Sequence, residues 1–233
     1  MTPESRIGSN ERHEFIKVGE TKEGEIPQSI GIAVLVVGVD KTRNGDNSND
    51  PLIWTIKELE AKTETGKKPG EISIPAETRK VGETRKDNVL GALAEFCDDT
   101  SLDYIRQHLF LAQGVFGEKV INVNGNSVDL TVLVYDGDLS LPLSPLNSSE
   151  VSPNGWMHKS EIQDSEGVRS VLRQAIEQDT YHSLSANVLN IYSNKRGELS
   201  PVIDDNFTTI SEFYRRRETL PDMPLLGGVP KNN

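Results

Sequence analysis

The sequence has little of several things that whole classes of protein require. One cysteine, Cys97, in 233 residues excludes an internal disulfide and a cysteine cluster for zinc or iron–sulfur. Aromatic residues make up 6% of the chain, which suggests that part of its length stays outside a packed core. The longest apolar run, Ile30–Val39, is too short to cross a bilayer as a helix.

Positive charge is also scarce, because Lys and Arg number 25 against 36 Asp and Glu, a formal net charge of −11. Broad, sequence-independent binding of nucleic acid needs basic side chains to neutralise phosphates, so we do not expect it. The first fifteen residues contain no apolar stretch, and we therefore expect no secretory signal and no membrane partner. A cytoplasmic protein is the expectation that follows.

Short runs of β-branched and apolar residues predict strands. Ile30–Val39 is rich in such residues and is predicted to be a strand buried on both faces. Further strands are predicted at the start of Leu52–Ala61, at the start of Ile72–Asn88, over Phe110–Val123 and over Val128–Tyr135. Ser140–Gly155 is rich in turn-forming residues and is predicted to be a loop.

Helices are predicted on either side of these later strands. Thr84 and Asp87 have the spacing of a capping box, which predicts a helix over about Lys86–Asp99. Glu166–Gln178 carries an apolar stripe at helical spacing. Shorter helices are predicted over Leu102–His108 and Thr208–Arg217. The order of elements is neither regular βαβ nor all-β, so the predicted fold class is α+β, with helices flanking a mixed sheet.

Composition divides the chain into three regions. Residues 1–28 are polar and are interpreted as an N-terminal arm. Residues 29–200 contain the predicted strands and most of the helices, and we assign them to one domain. Residues 201–233 are interpreted as a C-terminal extension with a short helix and a tail rich in proline and glycine.

The segment Ile74–Leu102 reads IPAETRKVGETRKDNVLGALAEFCDDTSL and resembles a degenerate Nudix box. The pattern of that family is G-x5-E-x7-R-E-U-x-E-E-x-G-U, where U is an aliphatic residue. When the two are aligned through Gly82 and Glu83, the matching fixed positions are Glu83, Leu93 and Glu95. The strands and helices around the box extend the resemblance to about Ser29–Gln178. It implies a Nudix-like α/β/α sandwich with a mixed sheet.

Several fixed positions of the pattern are changed. Gly91 stands at the arginine position, and Ala92 and Phe96 stand at two of the three helix glutamate positions. Ala76 and Glu77 stand where the family has glycines, and Asp98 and Asp99 stand at the closing glycine and aliphatic positions. Phe96 and Cys97 are expected to belong to the core, the latter as an inert buried thiol.

The resemblance implies a chemistry as well as a fold. Nudix hydrolases cleave nucleoside diphosphates linked to another group, with magnesium to neutralise the diphosphate and help activate water. Magnesium prefers hard oxygen ligands in octahedral geometry. By the resemblance, Glu83 and Glu95 are the candidate catalytic residues and the candidate ligands of that metal.

The loop before the predicted helix repeats the sequence ETRK. It places Arg79, Lys80, Arg85 and Lys86 close together in an otherwise acidic protein. Such basic side chains can hold phosphate oxygens, so these four are candidate residues for binding a phosphate-bearing cofactor or ligand. The alternative is a solvated loop whose charges pair locally.

Two functional hypotheses therefore stand side by side. The first is a divergent hydrolase that uses Glu83 and Glu95 with magnesium. The second is a non-catalytic module on the same fold that binds a nucleotide or a protein partner. A nucleotide-like small molecule is left open as the ligand, and so is a homodimer.

Overall fold

The computed structural model describes residues 29–40, 50–111, 119–124, 126–146, 148–177, 192, 199–204, 207 and 209–223. The predicted arm, residues 1–28, lies outside these residues, as does most of the predicted C-terminal tail. Within the described ranges, no helix is both long enough and apolar enough to cross a membrane.

Strands and helices alternate irregularly along the chain. Their order is β1 (Gly31–Gly38), β2 (Leu52–Glu58), β3 (Ile72–Ser73), β4 (Ala76–Thr78), α1 (Arg85–Ala92), α2 (Leu102–His108), β5 (Leu109–Leu111), β6 (Lys119–Val123), β7 (Asn126–Tyr135), β8 (Val151–His158), α3 (Lys159–Asp164), α4 (Ser170–Glu177), β9 (Ser200–Pro201) and α5 (Ile210–Arg217).

The described strands join in one mixed sheet, as predicted. Its main path runs β3-β2-β1-β7-β5-β9, while β4 pairs with β1, β6 with β7, and β8 with β2. Strands β1 and β7 are parallel along the whole of β1, and the other pairings are antiparallel. Strand β2 pairs with the last residues of β1 and β4 with the first, so the two share one edge of β1.

All eight residues of β1 are buried, because each face of the strand belongs to a separate core. Ile32, Val34 and Val36 pack in the core beneath α1, α2 and α5. Ala33, Leu35 and Val37 pack in the core beneath α3 and α4. Helices thus cover both faces of the sheet, which confirms the predicted α/β/α arrangement and the two-sided burial of β1.

Aromatic side chains fill the core beside α1. Phe96 is fully buried, and its ring meets that of Trp54 edge to face with centroids 5.6 Å apart. Trp54 in turn packs against Trp156 across the β2–β8 pair at 5.4 Å. Cys97 is fully buried next to Phe96, and burial raises the pKa of its thiol. Phe96 and Cys97 therefore belong to the core, as expected.

Helix α1 begins where predicted and ends earlier. Thr84 accepts a hydrogen bond from the Asp87 amide while the Asp87 side chain accepts one from the Thr84 amide, which is the predicted capping box. After Ala92 the chain tightens into a 3-10 turn over Leu93–Glu95. The carboxylate of Asp98 then accepts hydrogen bonds from the backbone amides of Thr100 and Ser101 and turns the chain toward α2. The predicted helix to Asp99 is therefore too long.

The predicted loop over Ser140–Gly155 is wrong at its end, because β8 begins at Val151. This strand is stabilised by long-range pairing with β2, and a bulge between Thr55 and Ile56 accommodates its proline and glycine. The predicted strand over Phe110–Val123 is two strands, β5 and β6, with residues 112–118 outside the described ranges.

We expect Thr84→Ala to lower the free energy of unfolding by about 1 kcal/mol, because it removes the N-cap acceptor of α1. Urea unfolding followed by circular dichroism measures this change. Thr84→Ser keeps the hydroxyl and should stay close to wild type. An equal loss in both variants would show that the methyl group matters and the cap does not.

Candidate functional site

A cavity of about 270 Å³ lies beside the pairing of β1 with β4. Its other walls come from the hairpin of residues 62–67, from the turn between β6 and β7, and from the start of α4. The β-branched aliphatic residues that line it are Ile30, Ile32, Val123, Val128 and Val171. The charged residues that line it are Lys62, Lys67, Arg169, Glu77, Glu95 and Glu150. The cavity thus combines an apolar wall with fixed charges of both signs.

Two reciprocal backbone hydrogen bonds between Lys62 and Lys67, of 3.1 and 3.0 Å, close the hairpin. Gly66 completes its turn at a φ of +68°, a conformation in which a side chain would be strained. The hairpin directs both lysines at Glu150, whose Oε2 lies 2.7 Å from Lys62 Nζ and 3.9 Å from Lys67 Nζ. Local backbone geometry therefore delivers two ammonium groups to the cavity.

Glu95 is a predicted catalytic residue that lines this cavity. It is buried, and one carboxylate oxygen accepts a hydrogen bond from the Ala76 amide at 2.8 Å. The other oxygen lies 3.9 Å from Lys67 Nζ. Burial, and secondly the negative charge of Glu77, raise the pKa of Glu95 to about 8, against the opposing effects of Lys67 and the Ala76 amide. Glu95 therefore retains its proton to a higher pH than an exposed glutamate.

Glu83, the other predicted catalytic residue, has different partners. One of its oxygens lies 2.9 Å from Arg217 Nε, and the other accepts a hydrogen bond from the Lys80 amide at 3.0 Å. Its side chain is 4% exposed, and it is not among the described residues that line the cavity. The joint role of Glu83 and Glu95 in one catalytic site stays a prediction.

Arg217, the last residue of α5, packs against residues of the Nudix-like segment and is almost completely buried. Besides Glu83, its guanidinium contacts Glu77 at 3.1 Å and donates a hydrogen bond to the Thr78 carbonyl. A Cβ atom at Gly91 would lie only 2.5 Å from Arg217 Nε. The glycine at the arginine position of the box thus makes room for an arginine from the C-terminal helix.

The four basic residues of the ETRK repeats all have partners within the protein. Arg79 contacts Ser29 and Asp129, Lys80 contacts Asp222, Arg85 contacts Thr131, and Lys86 contacts Asp204. None of the four is among the described residues that line the cavity. Their role in binding phosphate stays a prediction, and these contacts agree with the alternative of local charge pairing.

The surroundings of Glu83 and Glu95 do not suit the magnesium ion that the box implies. Magnesium needs near-octahedral oxygen ligands at about 2.0–2.1 Å. Here a cation of the protein already faces each carboxylate, because Arg217 lies beside Glu83 and Lys67 beside Glu95. Within the part of the chain that the structure describes, no three His, Cys, Asp or Glu side chains are placed to hold one metal ion.

Sequence reasoning does not find Lys62, Lys67 or Arg217 as residues of this site. The two lysines belong to a polar stretch that is typical of a solvated loop, and the end of α5 resembles an exposed basic helix terminus. For Arg217, the one signal in the sequence is Gly91, because a glycine inside a helix often marks the close approach of another group.

The sequence matches no protein-family model and no curated protein. The structure is similar to several solved Nudix proteins. The NUDIX domain of NrtR from Shewanella oneidensis, solved with ADP ribose, is 9% identical, with a TM-score of 0.43 over 66% of this chain and 87% of that chain. An Ap4A hydrolase from C. elegans is 11% identical, with a TM-score of 0.36 over 72% of this chain and 98% of that chain. A NUDIX hydrolase from Nitrosomonas europaea is 14% identical, with a TM-score of 0.38 over 66% of this chain and 90% of that chain. Because these identities and TM-scores are low, we infer the roles of the site residues from the contacts within this chain alone.

We expect Gly91→Ala to destabilise the protein by about 1–3 kcal/mol, because its methyl group would overlap the buried guanidinium of Arg217. Chemical unfolding measures the effect. In an Arg217→Met background, the same substitution should be neutral or stabilising by up to about 1 kcal/mol, because alanine favours a helix more than glycine does. Equal destabilisation in both backgrounds would contradict the contact.

We also expect the stability to depend on pH through Glu95. Its pKa of about 8 in the folded chain lies above the ordinary value of 4.5, so the folded state binds the proton more tightly. The resulting stabilisation is fully present below the ordinary value and is lost as the pH rises through about 8. Thermal unfolding in EDTA at several pH values across this range should show that loss in wild type.

Glu95→Gln should flatten this pH dependence, because glutamine cannot titrate. Glu60→Gln changes an exposed glutamate and serves as the matched control, with a slope expected to equal that of wild type. A wild-type slope in Glu95→Gln would mean that another group controls the effect.

Proposed function

We propose that this chain is a binding module that holds a small nucleotide-like molecule in the cavity beside β4 and does not hydrolyse it with a metal ion. The observation that carries this proposal is the ion pair between Glu83 and Arg217. Metal-dependent hydrolysis by a Nudix box uses this carboxylate, yet here it is buried against Arg217. Glu95 faces a different cation, Lys67. The ion pair supports a structural role for Glu83.

The chemistry of the cavity lining favours a nucleotide-like ligand. A nucleotide has a flat, largely apolar base and anionic phosphates, and binding pockets commonly combine an apolar surface with a few polar groups. The aliphatic wall suits the base. Lys62, Lys67 and Arg169 all line the cavity, but Lys67 and Arg169 are paired with the buried Glu58, so Lys62 is the residue that offers positive charge for the phosphates. Lys62 is the most accessible of the three, with 45% of its side chain exposed, against 5% for Lys67 and 11% for Arg169.

A ligand screen by isothermal calorimetry tests the proposal on the full chain. The panel contains nucleoside diphosphates, nucleoside diphosphate sugars, dinucleotides and nucleoside triphosphates, each in magnesium and in EDTA. We expect at least one compound to bind with similar affinity in both buffers and to remain intact. Magnesium-dependent turnover that is lost in Glu95→Gln would overturn the proposal in favour of the divergent hydrolase.

Substitution at the rim locates the binding site. Lys62→Ala should weaken binding about tenfold, close to 1.4 kcal/mol, because it removes the accessible positive charge of the cavity. Lys57→Ala is the matched control, since Lys57 is exposed on β2 and is not among the described lining residues. Unchanged affinity in both variants would place the ligand elsewhere.

A further inference from the structure

The charged groups that line the cavity balance each other. Among the described lining residues, the basic ones are as many as the acidic ones: Lys62, Lys67 and Arg169 against Glu77, Glu95 and Glu150. A ligand with several negative charges needs a surplus of positive charge in its site, because a buried charge without an opposite partner costs free energy. The described lining offers no such surplus.

Two of the basic side chains are held by one carboxylate outside the described lining. Glu58 is completely buried, and its Oε2 lies 2.8 Å from Lys67 Nζ. Its Oε1 accepts a hydrogen bond of 2.8 Å from Arg169. A phosphate that drew either cation away would leave this carboxylate buried without that partner, which is strongly unfavourable. Lys67 and Arg169 therefore serve Glu58 and are not available to a phosphate.

Lys62 differs from these two, because a phosphate can reach it. Its side chain is 45% exposed, and its Nζ donates a hydrogen bond of 2.7 Å to Oε2 of Glu150. A lysine ammonium has several N–H donors, so this bond leaves donors for the oxygens of one phosphate group. The side chain of Glu150 is 24% exposed beside it, and its negative charge opposes the approach of a second phosphate.

The size of the cavity sets a similar limit. Its volume is about 270 Å³, and the pockets that enclose small molecules commonly measure about 300–1,000 Å³. A ligand with one base and one sugar suits so small a cavity better than a dinucleotide does. Ile32, Val123 and Val171 supply an uncharged wall against which a base can pack.

We propose that the ligand is a nucleoside monophosphate, whose neutral nucleoside lies in the cavity and whose single phosphate meets Lys62 at the rim. This inference rests on the proposed function and narrows it to one class of nucleotide. The further phosphates of a diphosphate or triphosphate would find no additional available cation on the described lining and would lie near the carboxylate of Glu150. Added phosphates should therefore bring no added affinity.

Isothermal calorimetry on the full chain in EDTA tests this inference. The compounds are adenosine, guanosine, cytidine and uridine, each without phosphate and as its 5′ mono-, di- and triphosphate. In a series that binds, the monophosphate should bind wild type about tenfold more tightly than the nucleoside, and the di- and triphosphate should stay within about threefold of the monophosphate. Lys62→Ala should lower the affinity for the monophosphate to that for the nucleoside.

Glu150→Gln gives a sharper test, because it removes the negative charge beside Lys62 and nearly keeps the shape of the side chain. The diphosphate should bind this variant about tenfold more tightly than it binds wild type, while the nucleoside should bind both equally. Glu60→Gln is the matched control, since Glu60 is exposed and is not among the described lining residues. Its affinities should equal those of wild type.

Several results would overturn this inference and leave the proposed function standing. One is a wild-type preference of about tenfold or more for a di- or triphosphate over the monophosphate. Others are equal affinities for nucleoside and monophosphate, a diphosphate affinity that Glu150→Gln leaves unchanged, and a ligand found only among the nucleoside diphosphate sugars or dinucleotides of the wider panel. Binding by no compound of either panel would overturn the proposed function itself, and this inference with it.

Discussion

The buried guanidinium of Arg217 is the constraint on which the candidate site depends. A buried charge without partners costs several kcal/mol, so the position of Arg217 forces carboxylates to meet it. Glu77 in β4 and Glu83 before α1 both do so. Their contacts hold β4 against the box, and β4 supplies the Ala76 amide that binds the carboxylate of Glu95. The described part of the C-terminal extension therefore helps to shape the cavity.

The parts of the fold that could be predicted from sequence are those set by neighbours along the chain. The β-branched run of β1 and the capping box of Thr84 and Asp87 need only a few consecutive residues to be recognised. Strand β8 could not be found this way, because Val151–His158 contains proline, asparagine and glycine and becomes a strand only through its pairing with β2. Tertiary pairing there outweighs local propensity.

The site was predictable only in part for the same physical reason. Glu95 could be named because it occupies a pattern position, and the structure places it on the cavity. The burial of Lys67 could not be predicted, because its neighbour Lys68 has the same side chain and remains exposed. What distinguishes the two lysines is the turn at Gly66 and the presence of Glu58, Glu95 and Glu150 in three distant segments. Such convergence has no local signature.

A cation that belongs to the chain differs in kind from a bound metal. Lys67 is always present, whereas a metal site fills and empties with the concentration of the ion. A divalent metal also polarises a bound water and lowers its pKa, which a lysine ammonium does not do. Lys67 therefore neutralises the buried Glu58 and leaves water unactivated. Under the proposed function, binding without turnover agrees with this contact, because the cation that faces Glu95 is a lysine ammonium.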